Sequence, residues 1–486
     1  MNVQARSDGD RATTPEADMQ LEMSRVFERQ SDHALRLRTT SAEQRIAKIR
    51  SLMQTVLKYR DEILEAAHAD FRKPAAEAEL TEIFPVVAEA KYAIRHLKKW
   101  MKPKRVIPTL AMFGTQARVR LEPMGVCLIV SPWNYPVTLT LSPLISAIAA
   151  GNTAIVKPSE MTPNMSAVTR KILEEAFNEE EVAVFEGDYQ ISQQLLQFPF
   201  NHIFFTGSPA VGKIVMNAAA KHLASVTLEL GGKSPAIIDE TADLKVAARN
   251  IVWGKFANNG QTCIAPDHLF VHEDIKDEFL EKVVAAIKRV YGDTAEERAQ
   301  SPDYCRIVNR RHFDRLKELY DDALDRGAQT LIGGEFSADD LFIGPTVIDN
   351  VTSDSRLMEE EIFGPLLPVM TYTDLKDAVD YINEKEKPLA LYIYSGNKEN
   401  IKFTLDNTSA GGSCINHCLV QYLHLNVPFG GSNNSGIGNS TGFAGFKSFS
   451  HERSVVADKF SVMHWMHPPY TEKVRRLIRL SIDHLT

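Results

Sequence analysis

Cys263 closes the stretch NNGQTC at 258–263, and Glu229 ends the apolar run TLEL just ahead of a Gly-Gly pair in LELGGKSP at 228–235. A thiol in a flexible, backbone-exposing turn can act as a nucleophile, and a carboxylate nearby can act as its base. Further upstream, SPWNYP at 131–136 carries Asn134, whose side-chain amide can donate to an oxyanion. Nucleophile, base and oxyanion donor together make covalent chemistry on a carbonyl. Each residue also has a plainer reading. Most single cysteines are inert buried thiols, and Cys127 inside VCLIV reads that way. Glu229 could be one half of a structural ion pair, and Asn134 could cap a turn. A carboxylate among leucines is costly unless used or paired, and burial raises its pKa as a general base requires. Cys305 shows no special setting. Cys414, His417 and Cys418 in SCINHC raise a zinc reading, which fails for want of a second ligand pair, so no metal is expected.

A second group of residues points to a nucleotide. NHIFFTGSPAVGK reads as a strand, a turn at Thr206–Gly207 and a helix with Ser208 at N-cap and Pro209 at N1. Such a turn aims backbone N–H groups and the helix dipole at a pyrophosphate. Gly207 and Gly212 do not form the G-x-G-x-x-G fingerprint, and an ordinary strand–helix turn fits as well. VKPSE adds Lys157 and Glu160 at another strand end, where they could hold ribose hydroxyls or simply be a solvated pair. A carboxylate there would repel a 2′-phosphate and so favours NAD over NADP.

The elements that must position these residues follow from periodicity. From about Met23 to Trp100 apolar residues recur at helical spacing. Prolines 103 and 108 then break the pattern, and 101–123 reads as an extended excursion or hairpin. From Gly125 strands (VCLIV, TAIVK, VAVFE, NHIFF) alternate with helices, which predicts a doubly wound parallel α/β sheet with ligands at the carboxyl ends of its strands. After Gly232 a second alternating series begins. The Gly/Ser/Asn-rich stretch 426–445 reads as a loop returning to the site. At the end, EKVRRLIRLSIDHL is an amphipathic helix whose apolar stripe reads as packing on its own fold or a partner subunit.

Composition limits the alternatives. A chain of 486 residues exceeds one small core, and a net charge of −8 leaves no basic footprint for nucleic acid. Five cysteines suit a reducing cytosol better than a disulfide framework, so a cytoplasmic location is expected. No apolar run is long enough for a transmembrane anchor. The polar residues 1–20 read as a disordered leader.

Taken in order, SPWNYP, AAGNTAIVKPSE, FFTGS, TLELGGKSP, NNGQTCIAPD, EEIFGPLLPV and NVPFGGSNNSGIG resemble the NAD(P)-dependent aldehyde dehydrogenase superfamily. The likeness runs from about residue 30 to the C-terminus. GQTCIAPD, FSHERSV and PPYTEKV are most similar to class 3 enzymes, and GFAGFKSFSH to the coniferyl-aldehyde dehydrogenase branch. The resemblance implies a Rossmann-variant cofactor domain (21–100 and 124–230) and a catalytic domain (231–413). It also implies an arm and C-terminal segment (101–123 and 414–486) that joins subunits, here a homodimer. It implies that Cys263 attacks the aldehyde, that Asn134 and the Cys263 N–H hold the oxyanion, and that Glu229 activates water to hydrolyse a thioester. Trp133, Lys157, Glu160, Gly207, Ser208, Gly212, Leu230, Gly231, Glu361 and Phe363 are then the cofactor residues. For substrate, an aromatic or medium-chain aliphatic aldehyde is expected, with Tyr135, Ile264, His417, Cys418 and Tyr422 as pocket walls. A thiol hydrolase working without cofactor would have no use for VKPSE and FFTGS. A silent nucleotide binder would be expected to lose Cys263 or Glu229, and a CoA-acylating relative would not need Glu229.

Overall fold

The computed structural model describes residues 15–484. Its N-terminal part, to Trp100, is helical: α1 (Pro15–Leu37), α2 (Ala42–Lys58), α3 (Arg60–Phe71), the short α4 (Ala75–Ala78) and α5 (Phe84–Trp100). Most of the expected leader, residues 1–14, lies outside the described residues. Residues 15–20 do not fit that expectation, because α1 begins at Pro15. The apolar stripe of Met23 and Val26 extends one turn back through Met19, which packs on the same core cluster. Between α4 and α5, Glu79–Ile83 form a wide π-helical turn.

The excursion at 101–123 is a hairpin of β1 (Lys104–Val106) and β2 (Thr115–Pro123). Then come β3 (Val126–Val130), α6 (Thr138–Ala150), β4 (Thr153–Lys157), α7 (Pro163–Ala176), β5 (Val182–Val184), α8 (Tyr189–Leu195), β6 (His202–Thr206), α9 (Pro209–Ala220) and β7 (Ser225–Glu229). These five strands are parallel, in the order β7-β6-β3-β4-β5. Each of β3 and β4 is buried along its whole length, as a sheet covered by helices on both faces demands.

A second sheet starts at β8 (Pro235–Ile238), followed by α10 (Leu244–Phe256) and β9 (His268–His272). β10 (Gln329–Ile332), β13 (Thr346–Asp349), β14 (Leu366–Tyr372), β15 (Ala390–Tyr394) and β16 (Gly412–Ile415) complete it, while β11 (Phe336–Ser337) and β12 (Phe342–Ile343) form a separate small hairpin. The sheet's order is β10-β13-β14-β9-β8-β15-β16, parallel except for the β10–β13 pair.

The chain then returns. β17 (Gly436–Ile437) adds an antiparallel strand beside β7, setting Gly436 opposite Glu229, and β18 (Ser450–Asp458) pairs with β2 to complete a three-stranded arm. The stretch 426–445 is thus part of the first sheet's edge as well as a loop. In the C-terminal helix Glu472–His484 no residue is fully buried, and Val474, Leu477 and Ile478 of its apolar stripe are half-buried; Leu485 lies outside the described residues. Among the described residues no helix is long and apolar enough to cross a membrane.

Candidate active site

Strand ends gather the chemistry. Lys157 is the last residue of β4, Glu229 the last of β7, Gly207 follows β6, and the turn after β3 carries Trp133, Asn134 and Tyr135. All lie at the carboxyl edge of one parallel sheet, where strand order reverses between β3 and β6 and the helix N-termini leave room for a ligand.

Cys263 arrives from the second sheet's side. After α10 the backbone takes three left-handed residues in succession, Asn258 (φ 49°), Asn259 (φ 55°) and Gly260 (φ 72°). Asparagine and glycine are the residues that adopt this conformation at least cost, which is the physical content of the NNG signal. The reversal delivers a half-buried Cys263 to a cleft of about 1240 Å³, counted with its open mouth. Leu80, Leu139, Pro143, Trp253, Leu419 and Phe429 make its walls apolar, and Cys263, Thr262 and Glu229 supply a polar end.

Asn134 is 3% exposed, and its Nδ2 donates to the Gln261 carbonyl at 3.1 Å, two residues before the thiol. Tyr135 Oη and Thr262 Oγ1 are 2.6 Å apart, a second tie between the two loops. Neither carboxylate oxygen of Glu229 has a hydrogen-bond partner, although the residue is only 6% exposed. Burial pushes its carboxyl up to about 8. The nearby Ser440 hydroxyl offsets part of that shift, yet its hydrogen bond goes to the Phe429 carbonyl at 3.4 Å. Burial, and then the charges of Glu361 and Glu229, push the Cys263 thiol up to about 12, so it is protonated at rest.

Around the residues expected to hold a nucleotide, three glycines are packed too closely for a side chain. A Cβ at Gly207 would stand 2.6 Å from the Phe205 ring, and one at Gly212 2.7 Å from Leu230. One at Gly231 would meet the Glu361 carboxylate at 2.3 Å. Ser208 caps α9 by accepting from the Val211 N–H at 3.5 Å, with Pro209 following. Lys157 Nζ and Glu160 Oε2 are 2.7 Å apart, the lysine buried and the glutamate 40% exposed. Across the cleft, Phe363 (φ 49°) sets its ring 5.2 Å from that of Trp133. The loop holding Glu361 and Phe363 is anchored by Arg315, which donates to the carbonyls of Glu361 (3.1 Å) and Ile362 (2.6 Å). Asp267 anchors it too, accepting from the Ile362 N–H at 2.9 Å and pairing with Lys233.

Of the expected pocket walls, Tyr135, Ile264 and Tyr422 border the cleft and His417 and Cys418 do not. Cys418 is fully buried, its Sγ turned to the Asn250 carbonyl at 3.1 Å and pressed where Gly254 lacks a side chain. His417 folds back onto Cys418, with Nδ1 2.9 Å from the Cys418 N. Position beside the late glycine-rich stretch had suggested both, but the chain turns there and Leu419 and Leu423 face the cleft instead. The sequence reading missed the floor contributed by the helical N-terminal part, Glu77, Leu80, Thr81 and Pro85. Its one available signal was the Lys-Pro break at 73–74.

A family model described as the aldehyde dehydrogenase family matches residues 2–455. The 4,4′-diaponeurosporen-aldehyde dehydrogenase of Staphylococcus aureus is 42% identical over 88% of this chain and 92% of its own length. Aldehyde dehydrogenase family 3 member A2 of Macaca fascicularis is 40% identical over 89% of this chain and 87% of its own. A solved structure described as the substrate-bound state of Staphylococcus aureus AldH superimposes with a TM-score of 0.89 at 40% identity, covering 94% of this chain and 99% of that one.

Proposed function

The chain belongs to the aldehyde dehydrogenase family, and from that premise we propose that it oxidises an apolar aldehyde, aromatic or medium-chain aliphatic, to the carboxylic acid, with Cys263 as nucleophile and NAD as the preferred cofactor. The observation that carries the reading is a cleft-facing thiol set with an unpartnered carboxylate, Glu229, at the polar end of apolar walls.

The Cys263 thiol gives its proton to solvent, and Sγ forms a bond to the carbonyl carbon as the carbonyl electron pair moves to oxygen. Asn134 keeps one N–H on Gln261 and has a second for that oxygen, beside the backbone N–H of Cys263. The chemistry that bound NAD(P) supplies here is hydride acceptance. Lys157, Glu160, Gly207, Ser208 and Gly212 would hold its adenosine and diphosphate part, and Trp133, Leu230, Gly231, Glu361 and Phe363 its nicotinamide end. These glycines fit such a group, since none has room for a side chain. Glu229 then takes a proton from water, the hydroxide adds to the acyl carbon on Cys263, and the C–S bond breaks to release the acid. A carboxyl near 8 is basic enough for that step and is regained as water's proton passes to solvent.

The test is formation of reduced nicotinamide from NAD with aromatic and aliphatic aldehydes, run beside Cys263→Ala. Turnover of apolar aldehydes that the variant abolishes is the expected result. Turnover that survives the substitution would remove Cys263 from its role, and no turnover of any aldehyde would remove the proposal.

A further inference from the structure

Next to the cleft lie two charges that the reaction above does not use. Lys73 and Glu82 have 0% side-chain exposure and stand 3.0 Å apart, Nζ to Oε1. Taking two ions out of water is costly, and a buried pair is often no more stabilising than well-packed apolar residues. Stability alone is therefore a poor account of this pair. Their further hydrogen bonds converge on one segment. Lys73 Nζ donates to the Asn134 carbonyl at 3.3 Å and lies 4.6 Å from the centroid of the Tyr135 ring. Glu82 Oε2 accepts from the N–H groups of Val137 and Thr138, both at 3.1 Å, where α6 begins. The pair thus grips 134–138 from both ends.

Local structure explains how side chains nine positions apart can meet. α3 ends at Phe71 with Arg72 left-handed, Lys73 lies in the loop before α4, and the π turn Glu79–Ile83 shifts Glu82 off the regular helical register. At the other end, the Asn134 carbonyl also accepts from Asn258 Nδ2 at 2.9 Å. That same Nδ2 reaches the Gln261 carbonyl at 3.2 Å, which in turn accepts from Asn134 Nδ2. Backbone anchor, side-chain amide and nucleophile loop are closed into one ring of contacts.

We propose that Lys73 and Glu82 are positioning residues for the oxyanion site, fixing the backbone of Asn134 so that its side-chain amide keeps its direction relative to Cys263. The proposal rests on the reading of Asn134 and Cys263 as oxyanion donor and nucleophile. Neither charge touches the reacting atoms, so the pair acts only through Asn134.

A double-mutant cycle tests this. The burst of reduced nicotinamide is measured by rapid mixing of NAD and a turned-over aldehyde with the full chain, Lys73→Met, Asn134→Ala and the double variant. Removing an oxyanion donor costs roughly 100- to 1,000-fold. Lys73→Met misdirects the donor without deleting it and should slow the burst by about 10- to 100-fold in the wild-type background, and not at all once Asn134 is alanine. Alkylation of Cys263 by iodoacetamide, which builds no oxyanion, should keep its rate in Lys73→Met. Equal slowing in both backgrounds, or an unchanged burst, would overturn the proposal alone. No reduced nicotinamide from the unmodified protein with any aldehyde would overturn the functional reading and this proposal with it. Should Lys73→Met not fold, Glu82→Gln, which keeps the shape and removes the charge, enters the same cycle with the same expected and opposing results.

Discussion

Two carboxylates in this cleft are almost equally buried and are treated in opposite ways. Asp267 is 4% exposed and Glu229 6%. Burial alone would push Asp267 up, but Lys233 beside it, with help from His268, holds its carboxyl well below the usual range. Its second oxygen takes the Ile362 N–H, so it is a strut for the loop of Glu361 and Phe363. No cation stands beside Glu229, neither of its oxygens has a partner, and its carboxyl rises to about 8. The difference fits the proposed roles, a strut for Asp267 and a proton-exchanging base for Glu229. Partners give the first its rigidity, and their absence leaves the second reactive.

The largest effect should come from removing the reactive carboxylate. Glu229→Gln is expected to lower steady-state turnover by about 100- to 10,000-fold, the range for a lost general base. The first equivalent of reduced nicotinamide should still form, because Glu229 is assigned to hydrolysis of the acyl enzyme. A base works only when ionised, so the wild-type rate should rise with pH through about 8, and the variant should lose that limb. Rapid mixing followed by steady-state assays across pH reads both. A burst lost along with turnover would place Glu229 in the first half of the reaction.

Glu229 and Cys263 were legible because their sequence surroundings are abnormal. A glutamate between leucines and a cysteine after NNG both break the local pattern, and in each case the break has a backbone cause: a strand end, or three left-handed residues. The doubly wound sheet was legible for the opposite reason, since β3 and β4 are buried along their whole length and β6 at all but its last residue. Lys73 and Glu82 were hidden because a Lys and a Glu on an amphipathic helix look like its solvated face. The π turn, which no short-range pattern announces, turns Glu82 inward, and Lys73 enters from the loop between α3 and α4. His417 and Cys418 misled because closeness in sequence to the glycine-rich stretch says nothing of which way a turn of left-handed Asn416 and Leu419 points its side chains.

Stability separates the two carboxylates in the other direction. Glu229 has its folded pKa raised from 4.5 to about 8, so its burial costs nothing below the unfolded value and the cost grows as pH rises through the folded one. Glu229→Gln should therefore match wild type near pH 5 and be more stable at pH 9, by at most roughly 5 kcal/mol at about 1.36 kcal/mol per pKa unit. Asp267 has its folded pKa lowered, so its contribution is present above the unfolded value and is lost as pH falls. Asp267→Asn should destabilise at neutral pH, by about 3–5 kcal/mol for breaking a buried pair, and less so in acid. Denaturant midpoints of both variants at pH 3, 5, 7 and 9 check the signs. Parallel pH profiles would mean that the contrast between the two carboxylates is not electrostatic.

The smallest effect concerns a third carboxylate, intermediate between these two. Glu160 has one partner, Lys157, at 2.7 Å, and is 40% exposed, so water and salt screen it. What it offers a ligand is a single exposed negative charge beside a buried positive one. A ribose diol can donate to that carboxylate, while a 2′-phosphate is repelled by it. Glu160→Gln keeps an acceptor for the diol and removes the charge. An exposed charge contact is worth up to about 1 kcal/mol, so kcat/KM with NADP should rise by roughly three- to fivefold while that with NAD changes less. Higher ionic strength should shrink the wild-type penalty against NADP and leave the variant's ratio almost unchanged. A ratio of NAD to NADP that is the same in both proteins at low salt would mean that Glu160 does not face the ribose, and that cofactor choice lies elsewhere along the β4 edge.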